Sequence, residues 1–138
     1  MPNAPARLTA GALIGIAGVH VAWGRGGSFP FATTADLTDA VVGNDVVPSP
    51  AACFAVAGLL GVSAAAVAGV PRRDAPLRRF AVIGTASVLA VRAAFGFAGR
   101  TDALVPGSSS DRFRRNDRRV FAPLCAALAT GAVLSLRG

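Results

Sequence analysis

AACFAVAGLLGVSAAAVAGV, residues 51–70, runs for twenty residues without a charged side chain. As a helix it would be about 30 Å long, the thickness of a bilayer's hydrocarbon core. Its edges are punctuated. Ser49 offers a hydroxyl to the first free amides and Pro50 fits the first helical position, where its missing N–H costs nothing. Gly69-Val70-Pro71 ends the stretch.

Outward from this stretch the same pattern recurs three times. Leu8–Trp23, Phe80–Ala98 and Val120–Leu136 are apolar and rich in small residues, and across all four stretches Arg92 is the single charged side chain. Charge avoids long runs this completely where those runs meet lipid, because a charge or an unpaired backbone group is costly there. The sequence therefore predicts an all-α fold, a four-helix transmembrane bundle in one domain over residues 1–138, with spans at about 8–23, 51–70, 80–98 and 120–136. The first span is short at sixteen residues, so its start is expected to reach back toward Ala4. Its positive flank is thin (Arg7) and no small-x-small cleavage site follows, so an uncleaved helix is expected rather than a signal peptide.

Composition agrees. The chain is 53% hydrophobic and only 15% charged, against about a quarter charged in soluble domains. The fourteen basic residues are all Arg and the seven acidic ones all Asp. A net charge of +7 would suit nucleic acid in a soluble protein, but no basic face is interleaved with aromatics. Arginines at helix ends suit lipid headgroups instead, so the bilayer is the expected partner and nucleic acid is not. Cys53 and Cys125 fall within spans and read as small apolar groups, with a disulfide between the second and fourth spans as the alternative. No Cys/His spacing suits a metal, and neither metal nor cofactor is expected.

The connections carry the rest. Gly24–Ser49 is long and holds Asp36, Asp39 and Asp45; Thr34–Val42 within it reads as a short amphipathic surface helix with Thr34 as cap and Leu37, Ala40 and Val41 on one side. Pro71–Arg79 is tight and holds four arginines, which makes the second and third spans antiparallel neighbours. Asp111–Arg119 is a charged segment leading into the fourth span, where Pro123 lies near the first turn. In the first span Gly11, Gly15 and Gly18 form a small-residue stripe that would let another helix approach closely, within the chain or in a second copy. Arginines divide six against seven between the two sides, so the tight basic loop and the acidic first connection decide for termini inside.

Alternating spans bring particular residues to one leaflet. His20 lies near the far end of the first span, Arg92 in the far half of the third, and Asn116 and Asp117 at the entrance of the fourth. Trp23, three residues after His20, shares its face and anchors the helix end at the interface. Ionisable residues inside a membrane face the bundle and find partners; for Arg92 these are Asp117 or, second, Asp36 or Asp39. His20, Trp23, Arg92, Asn116 and Asp117 are therefore the candidates for a polar pocket near one membrane face. The plainer alternative is a structural network with Arg92 paired or snorkelling to the headgroups.

His20-x-x-Trp23-Gly24 followed by Phe29-Pro30 forms one motif, and Asp117-x-x-x-Phe121-x-Pro123-Leu124-Cys125 another; Pro50 ahead of Ala51–Leu60 and Arg92-x-x-x-Gly96 accompany them. On these residues the chain resembles a family of small four-helix membrane proteins, common in actinobacteria, that is known only as a domain of unknown function. Asn116 stands where that family commonly has an aromatic, and Phe121 where it commonly has Tyr, so a phenolic hydroxyl is missing here. The resemblance implies topology and source, and no reaction.

Two functions remain for a multi-pass protein of the cell membrane. One is binding of an amphiphilic, lipid-like small molecule in the polar pocket. The other is an isomerase- or cyclase-type membrane enzyme acting on a lipid or isoprenoid, with His20 or Asp117 as acid or base and Arg92 or Trp23 stabilising charge. A transporter comes third, because four short spans offer little polar lining.

Overall fold

The computed structural model describes residues 2–70 and 75–137, and every regular element among them is helical. Four helices are long and apolar enough to cross a membrane: α1 (Ala4–Gly24), α3 (Pro50–Ala68), α4 (Ala75–Ala98), and a rod spanning Asp111–Arg137 that contains α5 (Asp111–Asn116) and α6 (Ala122–Leu134). The short surface helix is α2 (Thr34–Leu37), which runs on as a π turn over Thr38–Val42.

Local chemistry sets the ends. The Asn3 side chain accepts from the Ala6 amide at 2.9 Å and starts α1 four residues ahead of the apolar run. Ser49 caps α3 as its sequence implies, accepting from the Ala52 amide at 3.1 Å. α2 is capped by Thr33 rather than Thr34, its hydroxyl accepting from the Asp36 amide at 3.1 Å. α4 begins at Ala75, five residues before the apolar stretch, since a proline in the first turn and two arginines interrupt nothing. Arg72, Arg73 and Asp74, on which the tight basic loop rests, lie outside the described residues.

The fourth span differs most from expectation. The charged segment is not a lead-in but helix, capped by Ser110, whose hydroxyl accepts from the Phe113 amide at 3.1 Å. Pro123 has no N–H to give the carbonyl four residues back, and its ring crowds that carbonyl. The helix accommodates this one turn upstream: Asp117–Phe121 winds as a π turn, with the Ala122 amide bonded to the Asp117 carbonyl. Asp117 therefore opens a widened turn.

The long helices form a ring in the order α1, α3, α4, α6, with α1 on α3 and α4 on α6 the most extensive contacts. The core is built of small side chains around Leu13, Val67, Val82 and Leu128. Thr9 sits against Gly131, where any Cβ would overlap its hydroxyl. Midway, the Thr85 hydroxyl donates to Ser63 Oγ at 3.0 Å and ties α4 to α3.

No more than 28% of the residues in any span's apolar window are buried inside the bundle. The outward faces carry Leu8, Ile14, Leu59, Val62, Phe80, Ile83 and Val88, all exposed. The Gly11, Gly15 and Gly18 stripe also looks outward; a Cβ on any of them would meet nothing within 4 Å, so it packs no helix of this chain. Cys53 and Cys125 are both free thiols, so the disulfide alternative falls.

At the end of the bundle that holds the chain termini (the near end), Arg78 ties two helix ends together. Arg78 donates from Nε to the Ala66 carbonyl at 3.0 Å and from Nη2 to the carbonyls of Ser135 at 3.0 Å and Val67 at 3.4 Å. Nearby, the Asn3 amide donates to the Leu134 carbonyl at 3.1 Å. Helix C-termini expose unpaired carbonyls with partial negative charge, and a guanidinium answers both needs.

Candidate functional site

At the opposite, far end, Arg92 projects from the last third of α4 toward α6. Its Nη2 lies 2.6 Å from Asp117 Oδ1, and Asp117 is only 2% exposed. The second carboxylate oxygen accepts from the hydroxyl of Thr101, the residue that opens the turn after α4, and Arg92 Nη1 stands 3.5 Å from the same hydroxyl. Both oxygens of the carboxylate are thus engaged, as burial of the charge requires. Gly96, one turn beyond Arg92, makes this possible. A Cβ there would lie 2.7 Å from the Ala122 Cβ, 3.0 Å from Arg92 Nη1 and 3.1 Å from Asp117 Oδ1.

The first connection forms a roof over this end, fastened to α5. The Arg112 guanidinium reaches Asp36 Oδ1 at 3.1 Å and Asp39 Oδ2 at 3.7 Å, and its carbon lies 5.8 Å from the centre of the Phe31 ring. The Ser110 hydroxyl donates to the Asp39 carbonyl at 2.9 Å, and the Asn116 amide to the Ala40 carbonyl at 3.1 Å. Gly43, at φ 83°, ends the π turn and lies flat on Phe113, where a Cβ would come within 2.8 Å of the ring. The Thr33 hydroxyl and the Arg112 guanidinium hold the Asp36 carboxyl below its ordinary value.

Between roof and bundle lies a cleft of about 240 Å³. Val41, Val42, Val56, Val105 and Phe113 give it an apolar wall, and His20, Trp23, Cys53, Arg92, Thr101 and Ser108 give it polar edges. His20 Nδ1 is 2.9 Å from the Ile16 carbonyl of its own helix. A carbonyl only accepts, so Nδ1 carries a proton, and in the neutral tautomer Nε2 presents a lone pair. The Trp23 ring packs 4.9 Å from that of His20, and its Nε1 donates to the Phe29 carbonyl at 2.6 Å.

Three of the five residues singled out from the sequence, His20, Trp23 and Arg92, line this cleft together. Two do not. Asp117 lies behind Arg92 with both oxygens taken, and Asn116 is turned to the roof. Asp36 and Asp39, the second choices for Arg92, pair with Arg112 instead. The sequence reading missed Thr101, Ser108 and Cys53. Thr101 had one signal, its place just after the helix stop Gly99-Arg100; Ser108 is the first of three consecutive serines, and nothing in sequence tells them apart.

Fold and cleft together define a small helical bundle with four helices long and apolar enough to cross a membrane and a partly polar cleft at its far end. The chain belongs to the family described as "Protein of unknown function (DUF3995)", whose model matches residues 13–132 and so takes in every cleft residue named above. No curated protein and no solved structure matches it.

Proposed function

We propose that this is a multi-pass protein of the cell membrane that binds an amphiphilic small molecule, head in the far-end cleft and tail along the apolar exterior. The outward-facing leucines, valines and phenylalanines of all four long helices support the membrane location, because water would not tolerate so continuous an apolar surface. The observation that carries the reading is the cleft itself: apolar side chains on one wall, and on the other a guanidinium fixed by a buried carboxylate. Its volume is smaller than that of pockets enclosing whole drug-sized ligands, which suits a headgroup and not a complete lipid.

The test uses Trp23, the single tryptophan of the chain. In phosphatidylcholine nanodiscs, a single-chain amphiphile brominated near its head should quench Trp23 saturably. Ala52 also lines the cleft, and Ala52→Phe, which fills that wall, should remove the saturable component and leave the folded bundle intact. Quenching that rises linearly, identical in both proteins, would refute binding in the cleft.

A second reading, a membrane enzyme of isomerase or cyclase type, is favoured by the lone pair of His20 Nε2, which has no protein partner among the described residues. His20 would be its general base. Asp117 is poorly placed for that role behind Arg92. Lipid analysis of a deletion strain, complemented with wild type or His20→Ala, separates the readings: only an enzyme leaves a precursor that accumulates and is cleared by wild type alone.

A further inference from the structure

We infer that the head bound in this cleft is uncharged and hydroxyl-bearing, the head of a long-chain alcohol rather than of an anionic or cationic lipid; the inference rests on the amphiphile reading above. Three observations lead there. First, the one charged residue lining the cleft is already neutralised. Arg92 and Asp117 are in contact at 2.6 Å and together carry no net charge, so neither an anionic nor a cationic head finds an unpaired counter-charge in the cleft. Desolvating an ion without an opposite charge is costly, whereas a hydroxyl needs only a donor and an acceptor.

Second, the cleft supplies both. Asp117 and Thr101 occupy two of the five N–H groups of Arg92, and its guanidinium remains on the cleft wall as a donor. In the neutral tautomer His20 Nε2 is the acceptor, because the Nδ1 proton is given to the Ile16 carbonyl.

Third, Ser108 is left over. It is 3% exposed, lines the cleft, and its hydroxyl makes no hydrogen bond among the described residues. No fully occluded polar side-chain atom among the described residues lacks a partner, so this hydroxyl keeps some accessible surface, on a residue that lines the cleft. Its donor and acceptor are therefore uncommitted within the described residues and open to a group that enters the cleft. A ligand hydroxyl would donate to His20 and accept from Arg92 or Ser108, a pattern that neither a sulfate nor a quaternary ammonium can complete.

The full chain in phosphatidylcholine nanodiscs at about pH 8, where an ordinary imidazole is neutral, is titrated with hexadecanol, hexadecyl sulfate and hexadecyltrimethylammonium while Trp23 emission is followed. The exposed arginines Arg114, Arg115, Arg118 and Arg119 stand outside the cleft lining, so sulfate held by them leaves Trp23 unchanged. Hexadecanol is expected to saturate at least tenfold more tightly than either charged probe. Ser108→Ala should weaken it about tenfold with an unchanged melting curve in the absence of probe, and His20→Phe, which keeps the ring and loses the acceptor, should do the same. Equal or tighter saturable binding of a charged probe, or unaltered hexadecanol binding in both variants, would overturn the hydroxyl assignment while leaving cleft binding intact. Failure of all three probes to saturate would overturn both.

Discussion

The two ends of this bundle each bury part of an arginine, and they do so in opposite ways. Arg78 at the near end is held by backbone carbonyls from two helix C-termini, and Arg92 at the far end by one side-chain carboxylate and one hydroxyl. The near-end arrangement answers a need every helix has, since terminal carbonyls lack partners wherever the chain turns. The far-end one answers no backbone need. It brings a second charge into the protein, an aspartate that is itself 2% exposed, and leaves the guanidinium on the wall of a cleft. Arg78 ties two helix ends together, whereas on the proposed reading Arg92 is kept available to the cleft at a cost in stability.

The largest effect should come from separating the far-end pair. Asp117→Ala leaves Arg92 without its anion and should cost about 3 kcal/mol, the low end for a broken buried pair because the arginine side chain keeps 26% of its exposure. Detergent melting with circular dichroism measures it. Gly96→Val comes next. It drives a side chain into Ala122 and between Arg92 and Asp117, which overpacking data put at about 2 kcal/mol, and it should shift the same melting curve without removing any polar group.

Arg78→Ala should cost less, about 1 kcal/mol, because the orphaned carbonyls lie at the end of the bundle where water can replace the guanidinium. Its distinguishing feature is location: hydrogen exchange should rise at the last turns of α3 and α6 and stay unchanged at the cleft. A loss in Arg78→Ala as large as in Asp117→Ala would erase the contrast between the ends.

The smallest effect concerns the roof. The Asp36 carboxyl is held below its ordinary value of 3.8 by Thr33 and Arg112, so the contribution of that pair is complete above pH 3.8 and is lost as pH falls through the lowered value. Amide exchange across Thr34–Val42, corrected for intrinsic rate, should therefore be flat from pH 7 to pH 4 and increase only below. Arg112→Ala should show the raised exchange already at pH 7. A rise near pH 6 would point to a histidine and away from this carboxylate.

Much of the far end could be read from the chain, for a physical reason. Runs able to cross a membrane are nearly free of charge, so the exceptions, His20 and Arg92, are visible at once, and the alternation of the long helices brings them to one end of the bundle with Asp117. The boundaries were harder. Charged residues are admissible at the membrane surface, so Asp111–Arg119 looked like connection although it is helix. The π turn at Asp117–Phe121 depends on how the rod absorbs Pro123 against its neighbours. The Gly11, Gly15 and Gly18 stripe packs no helix of this chain, because spacing shows which residues share a face and not which way that face looks. Thr101 and Ser108 sit in irregular chain, whose path is set by contacts with distant residues and leaves no periodic trace.

The contrast between the ends is tested most directly by removing the far-end pair as a unit. In Arg92→Met/Asp117→Leu the buried charges vanish together, so the melting temperature should return to near that of the wild type, while saturable binding of hexadecanol at Trp23 should be lost. The equivalent near-end change, Arg78→Met, should leave that binding unaltered. A double variant that melts like the wild type and binds hexadecanol with unchanged affinity would contradict the account, for it would make Arg92 and Asp117 a structural pair and nothing more.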